Sequence, residues 1–116
     1  MNGRENVCAG LIGEMRALHM LKKAGMKPLA WRYRAAGGEV DLIVKDRETL
    51  VFVEVKFRAD GRIGDGVRAV NGDKRRRIRQ AARHYLAYRI GREDLPVRFD
   101  VVEITRAGNR HIRNAF

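Results

Sequence analysis

The chain has 116 residues, of which 45% are hydrophobic and 34% are charged, and its formal net charge is +11. This length and composition predict one folded, soluble domain over residues 1–116. No stretch approaches the roughly 18 apolar residues of a membrane span, and the first ten residues are too polar for a secretory signal peptide. The single cysteine excludes an internal disulfide and a cysteine-based zinc site. We therefore expect a cytoplasmic protein that does not enter a membrane.

The spacing of apolar and turn-forming residues predicts a helix, three strands, a second helix and one or two further strands. The predicted elements are a helix over 6–24, strands over 29–35, 39–45 and 50–57, a helix over 74–90, a strand over 97–104 and a short edge strand within 111–116. Between 58 and 73 the chain is rich in glycine and charge, which favours a loop. This order predicts a mixed α/β fold in which helices flank one sheet.

The same patterns predict the positions of individual side chains. Met15 falls on the apolar stripe of the first helix, and Val40 shares one strand face with Leu42. Trp31 lies in an alternating strand and is expected in the core. Asp73 is the expected N-cap of the second helix.

The third strand carries a carboxylate and an ammonium on one otherwise apolar face. Its sequence, VFVEVKFR at 51–58, places Glu54 and Lys56 side by side on that face. A turn over 46–49 joins it to the second strand, and the resulting antiparallel register places Asp41 directly opposite Glu54. Opposed Cβ atoms lie about 4.5 to 5.5 Å apart, so the two carboxylates are predicted neighbours.

Two like charges at this separation destabilise a sheet, and four arrangements relieve them. One acid holds a proton, a cation lies between the acids, Lys56 neutralises the pair, or the face is wet. Oxygen ligands suit Mg²⁺ or Mn²⁺ better than Zn²⁺, and such a metal would polarise a phosphoryl oxygen. Lys56 could then position the attacking water or offset negative charge. Glu14, on or beside the apolar stripe of the first helix, either faces this pair or reaches solvent.

A basic segment follows the third strand. Residues 58–92 hold eleven Lys/Arg and three Asp, and 74–89 hold seven Lys/Arg and no acid. This one-sided charge favours a nucleic acid over an anionic membrane surface. The helix cations expected to contact phosphates, without reading base sequence, are Lys74, Arg75, Arg76, Arg79 and Arg83. Arg58, on the same strand face as Lys56, is a further phosphate-binding candidate.

Several segments resemble the YraN family of small bacterial proteins: GE at 13–14, GGEVDLIV at 37–44, VFVEVKFR at 51–58 and the AV…K…I…A..YL pattern over 69–86. That family is similar to the PD-(D/E)xK nuclease superfamily, with archaeal Holliday junction resolvases among the nearer relatives. The resemblance implies a restriction-endonuclease-like mixed β-sheet flanked by helices. It also implies Mg²⁺-dependent hydrolysis of DNA phosphodiesters.

The resemblance assigns roles residue by residue. Asp41 matches the D of the superfamily motif, and Glu54-Val55-Lys56 matches its ExK, with the Val55 carbonyl as a further metal ligand. Glu14 matches the acid on the first helix of the resolvase-like branch. The PD dipeptide is absent, because Val40 precedes Asp41.

Two functions follow from these features. The first is a metal-dependent DNA endonuclease, with branched DNA as a candidate substrate, Mg²⁺ or Mn²⁺ as cofactor, and Glu14, Asp41, Glu54 and Lys56 as catalytic residues. The second is a non-catalytic nucleic-acid-binding module that uses the basic 74–89 helix. A third and weaker interpretation is a protein-interaction subunit whose basic helix meets an acidic partner. A homodimer is a candidate assembly, because the resolvase relatives act as dimers.

Overall fold

The structure is a computed structural model that describes residues 3–58 and 70–116, with side chains described for 10–57 and 70–116. Its elements are helix α1 (Gly3–Lys23), strands β1 (Lys27–Ala35), β2 (Gly38–Asp46) and β3 (Thr49–Arg58), helix α2 (Gly72–His84), a π-helical segment (Tyr85–Ile90), and strands β4 (Val97–Thr105) and β5 (Gly108–Ile112). The predicted elements are therefore present, with two differences. The second helix changes to π-helical geometry in its last six residues, and the edge strand begins earlier than predicted. The glycine-rich loop predicted after β3 falls largely outside the described residues.

The five strands form one sheet in chain order, β1-β2-β3-β4-β5. Strand β3 runs parallel to β4, and the other neighbouring pairs are antiparallel. Parallel neighbours require a crossover connection, and the connection from β3 to β4 contains α2. Helix α2 packs on one face of the sheet and α1 packs on the other.

Two apolar layers separate the helices from the sheet. The layer beneath α1 contains Ala17, Leu21, Met26, Leu42, Val44, Val51, Val53, Val102 and Ile104. The layer beneath α2 contains Val40, Ile43, Leu50, Phe52, Val70, Ile78, Ala81, Ala82, Tyr85, Leu86 and Val101. Successive residues of β3 alternate between the two layers, as expected for a strand that is buried on both faces.

Two residues that were expected inside the protein lie on its surface. Met15 is 70% exposed, because the buried stripe of α1 runs through Ala17 and Leu21 instead. Trp31 is 54% exposed, because β1 is the edge strand of the sheet. Both expectations are therefore wrong.

Helix α2 begins after Asn71, not at the predicted Asp73. The Asn71 side-chain oxygen accepts the backbone N–H of Lys74 at 2.9 Å, which is the hydrogen bond of an N-cap. Asp73 lies in the first turn and ion-pairs with Arg76. The predicted helix is confirmed, but its capping residue is two positions earlier.

Helix α2 approaches the sheet most closely at Gly38. A Cβ atom at this position would lie 2.5 Å from the backbone nitrogen of Ala81 and 2.6 Å from the carbonyl oxygen of Arg77. Only glycine fits this contact without a shift of the helix backbone. The turn that precedes it consists of Ala36 and Gly37, which have φ of 52° and 79°, as in a two-residue hairpin.

A buried acid ties the end of the chain to the sheet. Asp100 is 0% exposed, and its carboxylate accepts two hydrogen bonds from Arg98 at 2.9 and 3.0 Å and one from the Asn114 N–H at 3.0 Å. A further hydrogen bond of 2.7 Å joins it to His111. Burial acts to raise the pKa of Asp100, but these partners outweigh it and hold the pKa below its ordinary value. Asp100 therefore has a structural role.

A mixed five-stranded sheet with a helix on each face confirms the predicted restriction-endonuclease-like architecture. Across the described residues, no helix is long and apolar enough to cross a membrane.

Candidate active site

The β2–β3 hairpin brings Asp41 to the point where the two strands separate. The paired residues run from Asp46–Thr49 to Leu42–Val53, which is the predicted register with a turn of two residues. Beyond the last pair, the Asp41 carboxylate accepts the backbone N–H of Val55 at 2.8 Å. The N–H and C=O of one strand residue point to the same edge, so the Val55 carbonyl also faces β2.

Asp41 lies in surroundings that disfavour its ionised form. Burial raises its pKa most, and the negative charges of Glu54 and Glu14 raise it further. The Val55 N–H and the Lys74 ammonium act in the opposite direction, and the resulting pKa is about 7 instead of 3.8. At neutral pH this carboxyl group is therefore poised between its acid and its carboxylate forms.

Two lysines neutralise Glu54. Its side chain is nearly fully buried, and its Oε1 atom lies 3.2 Å from Lys74 Nζ and 3.6 Å from Lys56 Nζ. Burial acts to lower the pKa of Lys74, but the adjacent Glu54 carboxylate outweighs it and raises the pKa above its ordinary value. Lys74 was expected to contact phosphates of a nucleic acid, and in the structure its ammonium group lies against the Glu54 carboxylate.

Glu14 faces the sheet and does not reach solvent. Its residue is 7% exposed, and its carboxylate accepts the Trp31 indole N–H at 2.6 Å and the Arg32 Nε–H at 3.0 Å. These charge-assisted hydrogen bonds fix the side chain in one orientation. Because Glu14 also raises the pKa of Asp41, its carboxylate lies within electrostatic reach of the pair.

The backbone of β1 is irregular where it contacts Glu14. Ala30 and Tyr33 pack against the layer beneath α2, whereas Trp31 and Arg32, which are adjacent in sequence, both reach Glu14 on the α1 side. Strict alternation would send them to opposite faces. Arg32 has a φ of 49°, a conformation that costs a residue other than glycine about 1 to 3 kcal/mol and that is common at functional sites.

The neighbouring position of β2 is irregular as well. The β1–β2 pairs skip from Trp31–Leu42 to Tyr33–Val40, and Asp41 lies opposite Arg32 in the gap. Val40 and Ile43 pack beneath α2, whereas Leu42 and Val44 pack beneath α1. The prediction that Val40 and Leu42 share a face is therefore wrong, because the alternation of β2 breaks at Asp41.

Two of the predicted phosphate-binding arginines lie against the C-terminal aromatic residues. The Arg75 guanidinium lies 5.4 Å from the centre of the Phe116 ring, and its Nε donates to the Val70 carbonyl at 2.9 Å. The Arg79 guanidinium lies 5.4 Å from the Phe99 ring and 5.6 Å from the Phe116 ring. Guanidinium groups held over rings in this way have a fixed position and keep their charge.

The remaining predicted cations differ in their surroundings. Arg76 is exposed and is paired with Asp73, and Arg83 is exposed on the next turn. Arg58 ends β3, but its side chain lies outside the described residues, so its predicted phosphate contact is untested.

Sequence reasoning missed three residues of this region. Trp31 and Arg32 hold Glu14, and nothing in the alternation of β1 indicates that both could do so. Glu103 is fully buried and is paired with Lys56 in the β3–β4 register. It interrupts the apolar strand VRFDVVEI in the same manner that Glu54 interrupts β3, and this signal could have identified it.

The described residues contain no group of three or more His, Cys, Asp or Glu side chains arranged to hold a metal ion. Of the two carboxylates that act on Asp41, Glu54 raises its pKa more than Glu14 does. A metal ion at this site would therefore depend on the Val55 carbonyl and on water to complete its ligands.

Known proteins resemble this chain over most of its length. A family model described as "Uncharacterised protein family UPF0102" matches residues 13–104. A UPF0102 protein of Alkaliphilus oremlandii is 42% identical over 92% of this chain and 96% of its own length. One of Symbiobacterium thermophilum is 44% identical over 92% and 94% of the two chains, and one of Nitrosococcus oceani is 44% identical over 79% and 74%. The chain therefore belongs to the uncharacterised protein family UPF0102, which is the YraN family predicted from its GGEVDLIV and VFVEVKFR segments.

Proposed function

We propose that this protein is a metal-dependent endonuclease that hydrolyses phosphodiester bonds in DNA. The observation that carries the proposal is the carboxylate pair of Asp41 and Glu54, in which the pKa of Asp41 is raised to about 7. Strongly perturbed titratable groups that converge on one site favour a functional role over a purely structural one. Two lysines and a basic helix adjoin this pair, which suits an anionic substrate.

The donor set fits a small divalent cation. Asp41 and Glu54 supply carboxylate oxygens, and the Val55 carbonyl faces the same edge of the strand, so all three donors are hard oxygen ligands of the kind that Mg²⁺ and Mn²⁺ prefer. A cation would also relieve the repulsion that raises the pKa of Asp41. When bound, such an ion supplies a Lewis acid that polarises a phosphoryl oxygen and acidifies a coordinated water.

The lysines have different proposed roles. Lys56, on β3, has 24% of its side chain exposed and is placed to orient a water molecule or to offset the negative charge that develops on the phosphate. Lys74, on α2, lies closer to Glu54 and balances its charge. Because Lys74 competes with a cation for Glu54, Lys74→Met should bind Mn²⁺ more tightly than the wild type in calorimetric titrations. An unchanged or weaker affinity would contradict this role.

Glu14 is proposed to set the electrostatics of the site from the side of α1. Its charge raises the pKa of Asp41, and its bonds to Trp31 and Arg32 hold it in place. Arg76, Arg79 and Arg83 would contact phosphates of the bound DNA, and affinity should fall steeply with salt.

The test is a cleavage assay on labelled four-way junction, flap and duplex DNA with Mg²⁺, with Mn²⁺ and with chelator. We expect the wild type to cut only with metal, and Asp41→Asn and Glu54→Gln to bind DNA without cutting it. Lys56→Ala should lose roughly 100-fold or more of the rate. Asp46→Asn changes an acid at the other end of β2, where Asp46 pairs with Arg98, and it should cut like the wild type.

One observation favours a second function, a nucleic-acid-binding module without catalysis. Glu54 is already paired with two ammonium groups, so the site is electrically satisfied without a metal ion. In that case no DNA is cut under any condition, and the wild type and the Asp41 and Glu54 variants bind with equal affinity.

A further inference from the structure

We propose that the outer edge of β1 binds unpaired bases of single-stranded DNA, with Trp31 as the stacking surface. A groove of about 580 Å³ follows this edge, within the size range of ligand sites. The residues that line it are Leu29, Ala30, Trp31, Arg32, Tyr33, Arg34, Ala35, His84 and Arg89.

The charge of the groove favours an anionic ligand. Among the described residues that line it, three are arginines, one is a histidine and none is acidic. Arg32 and Arg34 are paired with Glu14 and Glu39, so Arg89 and the exposed side of Arg34 contribute most of the positive charge. Aromatic rings interleaved with arginines along a groove are the features by which proteins hold single strands, because the cations follow the phosphates and the rings stack on bases.

Trp31 is prepared for stacking in two ways. Its residue is 54% exposed although most tryptophans are largely buried, and its orientation is fixed by the 2.6 Å hydrogen bond from the indole N–H to Glu14. The Arg32 guanidinium lies over the ring, 5.0 Å from its centre, so a base would stack on the opposite face, with this cation close by. Because the ring is already held in place, it loses little further freedom when a base stacks on it.

A second aromatic surface lies on the α2 side of the groove. A 2.6 Å hydrogen bond joins the Tyr33 hydroxyl to His84 Nδ1. The His84 ring lies 4.5 Å from that of Tyr88, which is 75% exposed. Tyr88 therefore adds an exposed ring next to His84, which lines the groove, and a second unpaired base could stack there.

The position of the groove narrows the class of substrate, and this step rests on the proposed nuclease function. Duplex DNA presents few free base faces to a ring, whereas an overhang or a flap presents several. A base on Trp31 would adjoin Glu14, which is part of the candidate active site. The preferred substrate is therefore DNA in which a single-stranded segment adjoins the bond to be cut.

The chain contains one tryptophan, so its fluorescence reports on this groove in the unmodified protein. The full chain is titrated in chelator with oligothymidylate, with blunt duplex of equal length and with polyglutamate. We expect saturable quenching by oligothymidylate alone. Stacking on an aromatic side chain is worth about 1 to 3 kcal/mol per base, so Trp31→Ala should weaken oligothymidylate binding roughly 5- to 150-fold. Its duplex affinity should change little. Because this variant has no tryptophan, its affinity and that of the other variants are measured by the fluorescence anisotropy of dye-labelled DNA.

Three further variants separate stacking from folding and charge. Trp31→Phe loses the hydrogen bond to Glu14 but keeps a ring, and it should retain most of the affinity for oligothymidylate. Arg34→Ala removes a groove arginine, and Arg110→Ala removes an exposed arginine from the opposite edge strand. Of these two arginine variants, only Arg34→Ala should weaken oligothymidylate binding.

Each outcome distinguishes the two proposals. If oligothymidylate binds without quenching, or if Trp31→Ala and Arg110→Ala behave alike, the groove is not the binding surface. Equal quenching by polyglutamate overturns the inference in favour of an acidic protein partner. Quenching without cleavage in the presence of metal refutes the nuclease proposal and supports the groove as a binding surface. Cleavage without quenching supports the nuclease proposal and refutes the groove.

Discussion

Replacing Asp41 with asparagine is expected to stabilise the protein at neutral and alkaline pH. The displacement of its pKa from 3.8 to about 7 corresponds to about 4 kcal/mol, because each pH unit is worth about 1.36 kcal/mol. Below the ordinary pKa, Asp41 is protonated in both the folded and the unfolded chain, so the protein loses no stability there. As the pH rises from about 4 to about 7 the unfolded chain releases its proton first, so stability falls. Asparagine removes this loss, and its side-chain oxygen can still accept the Val55 N–H.

The measurement is the free energy of unfolding by urea at pH values from about 4 to about 8, in chelator. We expect Asp41→Asn to exceed the wild type by up to about 4 kcal/mol at pH 8 and to match it near pH 4. Asp46→Asn is the control on the same strand. It loses the ionic attraction between the Asp46 carboxylate and Arg98, whose atoms lie 3.0 Å apart, and should be less stable than the wild type at pH 8, by roughly 1 kcal/mol.

The reasoning is refuted if wild-type stability does not fall across this pH range, or if Asp41→Asn is the less stable protein at pH 8. A divalent cation supplies a second readout on the same proteins. Mg²⁺ at 100 times its dissociation constant should stabilise the wild type by about 2.7 kcal/mol and should leave Asp41→Asn nearly unchanged.

Three other predictions concern the framework that holds the site. Gly38→Ala should lower the free energy of unfolding by about 1 to 3 kcal/mol, because its Cβ meets the helix backbone. Gly72→Ala, where a Cβ meets nothing within 4 Å, should raise it by less than about 1 kcal/mol; equal urea midpoints would contradict this. Asn71→Ala should lower the free energy of unfolding by about 1 kcal/mol, and Asp73→Ala should lower it clearly less. The reverse order would indicate that Asp73 is the N-cap after all. Asp100→Asn should be less stable than the wild type at pH 7, and the difference should shrink as acid protonates the wild-type carboxylate, since its pKa is lowered; a constant difference down to pH about 2 would argue against this network.

The register that brings Asp41 near Glu54 is predictable because two independent patterns agree, although the strands separate before the two acids become a direct pair. The length of the turn and the apolar alternation of β2 and β3 select the same register, and a shift of one residue would move every side chain of the shifted strand to the opposite face of the sheet. The structure contains that register from Asp46–Thr49 to Leu42–Val53. The separation of the strands at Asp41 is not predictable. There the Asp41 side chain, and not a backbone carbonyl, accepts the Val55 N–H, and the order of apolar and polar residues does not indicate such a replacement.

The contacts of Glu14 and the ion pair between Lys74 and Glu54 could not be predicted. Glu14 meets both Trp31 and Arg32 only because Arg32 adopts a positive φ, and no residue preference encodes this conformation for arginine. Lys74 reaches Glu54 only because α2 lies close against β2 at Gly38. Contacts of this kind depend on how elements pack, and periodicity describes each element separately.

The irregular backbone of β1 also affects how copies of this chain could associate. A straight edge strand offers its free N–H and C=O groups to a strand of another molecule and so promotes aggregation. Along β1, Pro28 has no N–H, the register shifts between Pro28 and Ala30, and Arg32 turns the backbone to a φ of 49°. A second copy could not extend the sheet continuously along this edge. We therefore expect any dimer of this protein to form through other surfaces, which leaves the β1 edge accessible.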